Sequence, residues 1–234
     1  MQISIPSTDR SIDGYLAEPQ AEVSGQPPWP GVVVIHDALG SGDDIRAITS
    51  RFATAGYLAL APNLFSRGNA VTCVRSMFGQ LRAGRGQAFD DIEAARTLLA
   101  ERDDSTGKVG VAGFCMGGGF ALLAASNGFQ ASAPYYGQLP TDGSFLDGAC
   151  PVVASFGAKD PSLRGAAEKL ETLLTERGVP HDVKEYPDAG HSFANRLPLG
   201  PLNVLARVLG FGYHHESSED AWRRGLAFFG EHLR

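Results

Sequence analysis

The stretch VGVAGFCMGGGFALLAA, residues 109–125, confines this chain more tightly than any other. An apolar run reaches Gly113, a cysteine stands at 115, glycines fill 117–119, and a good helix former runs from Phe120 through Ala125. That order predicts a strand turning sharply into a helix packed against it. Two roles fit Cys115. In one it is a small buried hydrophobe, and the glycines only admit a close helix–sheet approach. In the other, Gly113-Phe114-Cys115-Met116-Gly117 is a nucleophile elbow with cysteine in the serine position. An elbow holds its central residue in strained dihedrals, so the neighbours two before and two after must be nearly side-chain-free. It also lifts the thiol to a helix N-terminus, whose dipole favours a thiolate.

The surrounding sequence alternates. QISIPS and IDGYLAE switch between apolar and polar residues, as a half-exposed antiparallel pair does. GVVVIH (31–36) is a continuous β-branched run and predicts a strand buried on both faces. Ile45, Ile48, Phe52 and Ala55 recur at helical spacing, with Ser41 or Asp43 available as caps and Gly56 at the end. YLALAP is the next strand, FDDIEAARTLLAER a helix, and KVGVAG the strand leading to Cys115. ASAPYYG, PVVASFG and HDVKEYP read as strands, and LRGAAEKLETLLTERG and EDAWRRGLAFFGEHL as helices. The repeat predicts an α/β fold: a mainly parallel central sheet with helices on both faces, in a single domain over 1–234. Ligands of such sheets bind beyond the carboxyl ends of the strands, where Cys115 falls.

Composition narrows the classes. A net charge of −6 and the lack of a basic patch with interleaved aromatics argue against nucleic acid and against an anionic membrane surface. No apolar run approaches the ~20 residues of a membrane span, and MQISIPSTDR lacks the basic and apolar regions of a signal peptide. Cys73, Cys115 and Cys150 show neither paired nor metal-ligand spacing. A reducing, cytoplasmic setting without metal or other cofactor is the expectation.

A cysteine nucleophile needs a base, and the base needs an orienting group. In this architecture the chain order is nucleophile, acid, histidine. Asp160, in SFGAKDP, lies just beyond the strand at 151–156, and His191, in YPDAGHSF, just beyond the strand at 181–186. Both therefore fall on the sheet edge that carries Cys115. Asp160 before Pro161 also suits a turn, or a cap for a helix beginning near Leu163. Asp182 sits inside a strand, Asp188 only three residues before His191, and His181 and His214-His215 away from strand carboxyl ends. Cys115, His191 and Asp160 are the candidate triad.

With GFCMGGG, GAKDP and AGHSF together, the chain resembles the dienelactone hydrolase family of α/β-hydrolases, from about residue 10 to the C-terminus. The resemblance implies an α/β-hydrolase fold and hydrolysis of a small-molecule lactone or ester through a cysteine thioester. It further implies an acidic residue that helps to generate the thiolate; Asp37 in VIHDALG stands where the best-known members carry glutamate, and is one methylene shorter. The alternative for Asp37 is a loop carboxylate bonded to nearby backbone N–H groups, while His36 packs beneath the loop. The oxyanion hole is assigned to the backbone N–H groups of Met116 and Ala38. Family arginines that bind a substrate carboxylate direct attention to Arg75, Arg82, Arg85 and Arg196, with Asn195 where one often stands; a solvated surface role is the other reading of each. Residues 197–215, with Leu202, Leu205, Val208 and Leu209, read either as core packing or as a partial apolar cover over the cleft. The rival for the whole chain is a non-catalytic ligand-binding or redox-sensing protein on the same fold, with Cys115 as the oxidisable thiol.

Overall fold

A computed structural model describes residues 1–66, 68, 70–140, 143–196 and 210–234. Its strands are β1 (Gln2–Pro6), β2 (Ser11–Ala17), β3 (Trp29–Ile35), β4 (Leu58–Pro62), β5 (Ser105–Phe114), β6 (Ala131–Tyr135), β7 (Val152–Gly157) and β8 (His181–Tyr186). They form one sheet in the order β1-β2-β4-β3-β5-β6-β7-β8. The two alternating segments pair antiparallel as β1 and β2, and β2 pairs antiparallel with β4. From β4 to β8 every pairing is parallel. Val32, Val33, Val34 and Ile35 of β3 are wholly buried, as a β-branched run between two helical layers must be.

Among the described residues the α-helices are α1 (Ala21–Ser24), α2 (Asp43–Thr54), α3 (Ala70–Ala83), α4 (Gln87–Ala100), α5 (Met116–Ala124), α6 (Ala166–Glu176) and α7 (His215–Leu233). A Cβ on Gly31 meets Leu99 of α4, whereas one on Gly110 meets Phe229 and Leu233 of α7. Gly31 is paired with Val109, the neighbour of Gly110 along β5, so α4 and α7 lie on opposite faces. Phe52 of α2 contacts Trp222 of α7 at 4.5 Å, and Phe120 of α5 contacts Phe89 of α4 at 5.1 Å, which assigns a second helix to each face.

One local expectation changes, and one helix forms where the sequence predicts none. Neither Ser41 nor Asp43 caps α2; the N-cap is Gly42, without a side-chain bond, and Asp43 and Asp44 face the positive end of the helix from its first turn. Helix α3 carries no clear sequence signal, because Thr72, Val74 and the interior Gly79 all lower helix propensity. Tertiary packing supplies what propensity lacks, with Met77 and Leu81 buried in the core. The proposed cover lies outside the described residues for 197–209; its remainder, 210–215, runs beside His191.

The turn from β5 into α5 is set by backbone touching backbone. A Cβ on Gly113 falls 2.0 Å from the Gly117 carbonyl oxygen, and a Cβ on Gly117 falls 2.3 Å from that of Ile35. Neither can retreat, since each belongs to the buried strand–helix junction. Gly113→Ala should therefore destabilise the protein by at least about 3 kcal/mol, the upper part of the usual range for overpacking. Urea denaturation checks this; a loss below about 1 kcal/mol means that the junction can open.

Candidate active site

Between β5 and α5, Cys115 has φ 55° and ψ −115°, a conformation that L-residues rarely adopt. Three contacts hold it there besides the glycines. Its N–H donates to the Tyr135 carbonyl at 3.1 Å, and its carbonyl accepts from Gly119 N–H at 3.2 Å. Phe114, the preceding residue, stacks on Tyr135 at 4.7 Å. The side chain is half-buried at the start of α5.

His191 and Asp160 arrive from the ends of β8 and β7. His191 Nε2 is 3.1 Å from Cys115 Sγ, and its Nδ1 is 2.5 Å from Asp160 Oδ2. The loop bearing His191 is tied on both sides of that residue: its N–H donates to Gly210 O and its carbonyl accepts from Gly212 N–H. Rings of Tyr136 and Phe211 flank the imidazole at 5.3 and 5.5 Å. Asp160 is buried and uses its two oxygens differently. Oδ2 meets His191, while Oδ1 accepts from the Ser162 N–H and hydroxyl. Asp160 thus holds the turn through Ser162 as well as contacting His191, but helix α6 begins later, with Gly165 as its N-cap.

Burial opposes charge on His191, but its hydrogen bonds to Asp160 and to the Cys115 sulfur outweigh burial and lift the imidazole pKa to about 9. Burial also works against the Asp160 carboxylate, yet bonds from His191 and Ser162 hold it below the usual carboxylate range. The rival acids are occupied elsewhere: Asp188 pairs with Lys159 and Asp182 with Arg224. Among the other histidines, His181 bonds the Val179 carbonyl and His214 caps α7 through Ser217.

Asp37 does not reach the thiol by any hydrogen bond among the described residues. Its Oδ1 accepts from Leu39 N–H at 2.8 Å, the loop-carboxylate alternative. Burial raises its pKa, partly offset by the Leu39 bond, and Asp44 adds to the rise. The Ala38 and Met116 N–H groups donate no hydrogen bond among the described residues. A pocket of about 260 Å³ opens over Cys115, lined by Phe78, Leu81, Met116, Tyr136, Leu163 and His191, with Gln138 and Ser162 as polar members. The pocket residues from α3 and Tyr136 carry no motif, and only the spacing of Ser162 from Asp160 offers a signal. Arg75, Arg82 and Arg196 are not among the described lining residues. Arg82 lines a separate depression, Arg196 stacks over Tyr213 at 4.2 Å, and Arg75 and Arg85 are exposed. No group of three or more metal-ligating side chains converges among the described residues, and no described helix is long and apolar enough to cross a membrane.

A mainly parallel sheet with a strained residue at the β5–α5 turn, and an acid and a histidine from later strand ends, is the α/β-hydrolase fold. Within that fold the chain belongs to the dienelactone hydrolase family, whose model matches residues 12–233. A Yersinia pestis protein named "Putative carboxymethylenebutenolidase" is 30% identical over 99% of this chain and 88% of its own length. A crystal structure from Klebsiella pneumoniae, described as "Putative Dienelactone Hydrolase", superposes with a TM-score of 0.81 at 26% identity, covering 99% of this chain and 98% of the other. The Anabaena variabilis dienelactone hydrolase, at 19% identity and a TM-score of 0.73 over 100% of this chain and 98% of its own, shares the fold. The protein is a carboxylic ester hydrolase of the dienelactone hydrolase type.

The raised His191 pKa has a direct test. The folded value exceeds the ordinary 6.5, so the protonated imidazole stabilises the fold; that contribution is complete below 6.5 and is lost as pH rises through about 9. An NMR titration of His191 should show a midpoint near 9, and Cys115→Ala should lower it by removing the sulfur partner. The stability advantage of wild type over His191→Gln should shrink across that window. A midpoint at the ordinary value, unchanged by Cys115→Ala, contradicts the coupling.

Proposed function

We propose that this enzyme hydrolyses activated carboxylic esters and enol-lactones through a thioester on Cys115. The observation that carries the reading is the continuous contact from Sγ through the imidazole to a buried carboxylate, at 3.1 and 2.5 Å, on a strained turn. With the Cys115 proton held on His191 Nε2, the Sγ thiolate adds to the substrate carbonyl carbon, and the π pair moves onto oxygen, facing the Met116 and Ala38 N–H groups. The oxygen–carbon bond to the leaving group then breaks, with His191 supplying the proton. Water adds to the thioester as His191 takes a proton from it. The carbon–sulfur bond breaks, the acid departs, and sulfur leaves as a thiolate. Asp160 keeps Nδ1–H pointed inward and stabilises the imidazolium throughout.

Sulfur also governs which bonds break. Each tetrahedral intermediate expels the weaker base, and a thiolate is a better leaving group than an alkoxide. An alkyl ester therefore tends to return to substrate, while a departing phenolate or enolate lets the reaction proceed. The mostly apolar pocket wall suits uncharged acyl groups.

Cys115→Ala and His191→Ala should each remove most turnover. Asp160→Asn should lower kcat by a factor on the order of 10⁴, by favouring the wrong imidazole tautomer, whereas Asp188→Asn should stay near wild type. If Asp188→Asn is the inactive one, the orienting acid is misassigned. During turnover of p-nitrophenyl acetate, mass spectrometry should find the acyl group on Cys115. Hydrolysis of p-nitrophenyl acetate should far exceed that of ethyl acetate at neutral pH; comparable rates on both mean that the thiol imposes no such filter.

A further inference from the structure

His36 is wholly buried at the end of β3 and takes no part in the contacts of Cys115, His191 or Asp160. Both its ring nitrogens are engaged. Nδ1 lies 2.7 Å from the Asp37 carbonyl oxygen, and Nε2 lies 3.1 Å from Leu64 N–H. A carbonyl only accepts and a backbone N–H only donates, so Nδ1 carries the hydrogen and Nε2 carries a lone pair. The ring is therefore neutral and in one tautomer, its edge-to-face contact with Phe65 at 4.7 Å further fixing its plane. Burial, opposed by the Asp37 carbonyl bond, depresses its pKa to about 4, in keeping with that neutral form. Protonation is also blocked chemically, since Nε2–H would face the Leu64 donor. A group so held does not shuttle protons. What it does hold is a peptide plane.

The Asp37–Ala38 peptide is trans; the cis bond of the described chain is Pro27–Pro28. In a trans peptide the carbonyl of one residue and the N–H of the next point in opposite directions. Fixing the Asp37 carbonyl thus fixes the Ala38 N–H on the other side of the plane. The same carbonyl also accepts from Gly40 N–H at 3.2 Å, and the Asp37 carboxylate takes Leu39 N–H, so the peptide groups on both sides of Ala38 are tied. The Ala38 N–H itself makes no hydrogen bond among the described residues. This loop begins beside the elbow: Ile35 is paired with Gly113, and Gly117 packs on the Ile35 and His36 carbonyls.

We infer that His36 is a positioning residue for the oxyanion: by holding the Asp37 carbonyl, it aims the Ala38 N–H at the carbonyl oxygen of a substrate attacked by Cys115. The inference rests on the reading of Cys115 as the nucleophile, and it gives Asp37 a role in closing the loop rather than in touching the thiol. Pre-aimed donors matter because charge grows on that oxygen only as the transition state forms, and a donor already oriented needs no reorganisation then.

Two substitutions divide the ring's contacts. His36→Asn retains a donor near Nδ1 and loses the Leu64 acceptor; His36→Gln retains an acceptor near Nε2 and loses the carbonyl pin. With p-nitrophenyl acetate, His36→Gln should lower kcat by roughly 10²–10³, the effect of losing one oxyanion donor. KM should stay within about threefold, and His36→Asn should keep kcat within about tenfold of wild type. Alkylation of Cys115 by iodoacetamide is the control. There Sγ displaces iodide at a saturated carbon and no oxyanion forms, so its rate should match wild type in both variants. Equal loss of kcat and alkylation, equal loss in the Asn and Gln variants, or unchanged kcat in folded His36→Gln overturns the inference.

A second measurement needs no variant. An aldehyde adds to Cys115 as a hemithioacetal, the Sγ–carbon bond forming as the π pair moves to oxygen and the thiol proton passes to His191. The Ala38 amide proton should then shift downfield in wild-type protein, and an unmoved resonance overturns the inference even if His36→Gln does not fold. Acyl transfer to Cys115 in wild type reports on the parent reading alone: without the thioester both readings fall, and with it only the orienting role of His36 is at stake.

Discussion

At the β5–α5 junction, backbone passes so close to backbone that Gly113 and Gly117 leave no room for side chains, and everything at the strand ends depends on that approach. The conformation of Cys115 costs about 1–3 kcal/mol in isolation. It persists because the surroundings over-determine it: Tyr135 accepts its N–H, Gly119 bonds its carbonyl, and α5 cannot move away without breaking from the sheet. The strain is what holds the sulfur above the sheet edge, at the first turn of α5 and within reach of β7 and β8.

His36, buried, and His191, half-buried, show how partners and burial together decide the chemistry of a ring. His36 meets a carbonyl and an N–H, one of each polarity, and burial then drives its pKa down to about 4. His191 meets a carboxylate and a sulfur, both of which favour the protonated ring, and its pKa rises to about 9 despite burial. One is a fixed strut and the other a proton carrier in the proposed reaction. They stand on opposite sides of the elbow, one ordering the loop after β3 and the other the loop after β8.

Loops at the strand ends are fastened by short polar links. Tyr136 donates to Asn195 Oδ1, Asn195 donates to Asp44, and Asp44 also accepts from Arg196 N–H. This chain joins the segment after His191 to the first turn of α2 and ends under a wall of the Cys115 pocket. Asn195, at the position where the resemblance places a substrate-binding arginine, is wholly buried in that network. The carboxylate-binding reading thus loses its nearest position, while Arg196 turns outward to Tyr213.

The sequence by itself determined the alternation of strands and helices, because burial on both faces demands continuous β-branched runs such as GVVVIH while helices need apolar residues at a period of 3.6. It also determined the elbow, since glycines at 113 and 117 around one cysteine are what a strand-to-helix turn without room for flanking side chains requires. Asp160 and His191 stand out by their order and their fall at strand ends. Tertiary structure alone decided the rest. Helix α3 forms against weak local propensity because Met77 and Leu81 reach the core, a gain no window of neighbouring residues can register. Position along the chain points to Asp37, to the arginines and to the place Asn195 fills, but a side chain's partner depends on its length and on what packs against it. Asp37 finds Leu39 N–H within its own loop, and Asn195 finds Tyr136 and Asp44, 59 and 151 residues away. Local periodicity carries information about elements; only the closed sheet brings together groups so far apart in the chain.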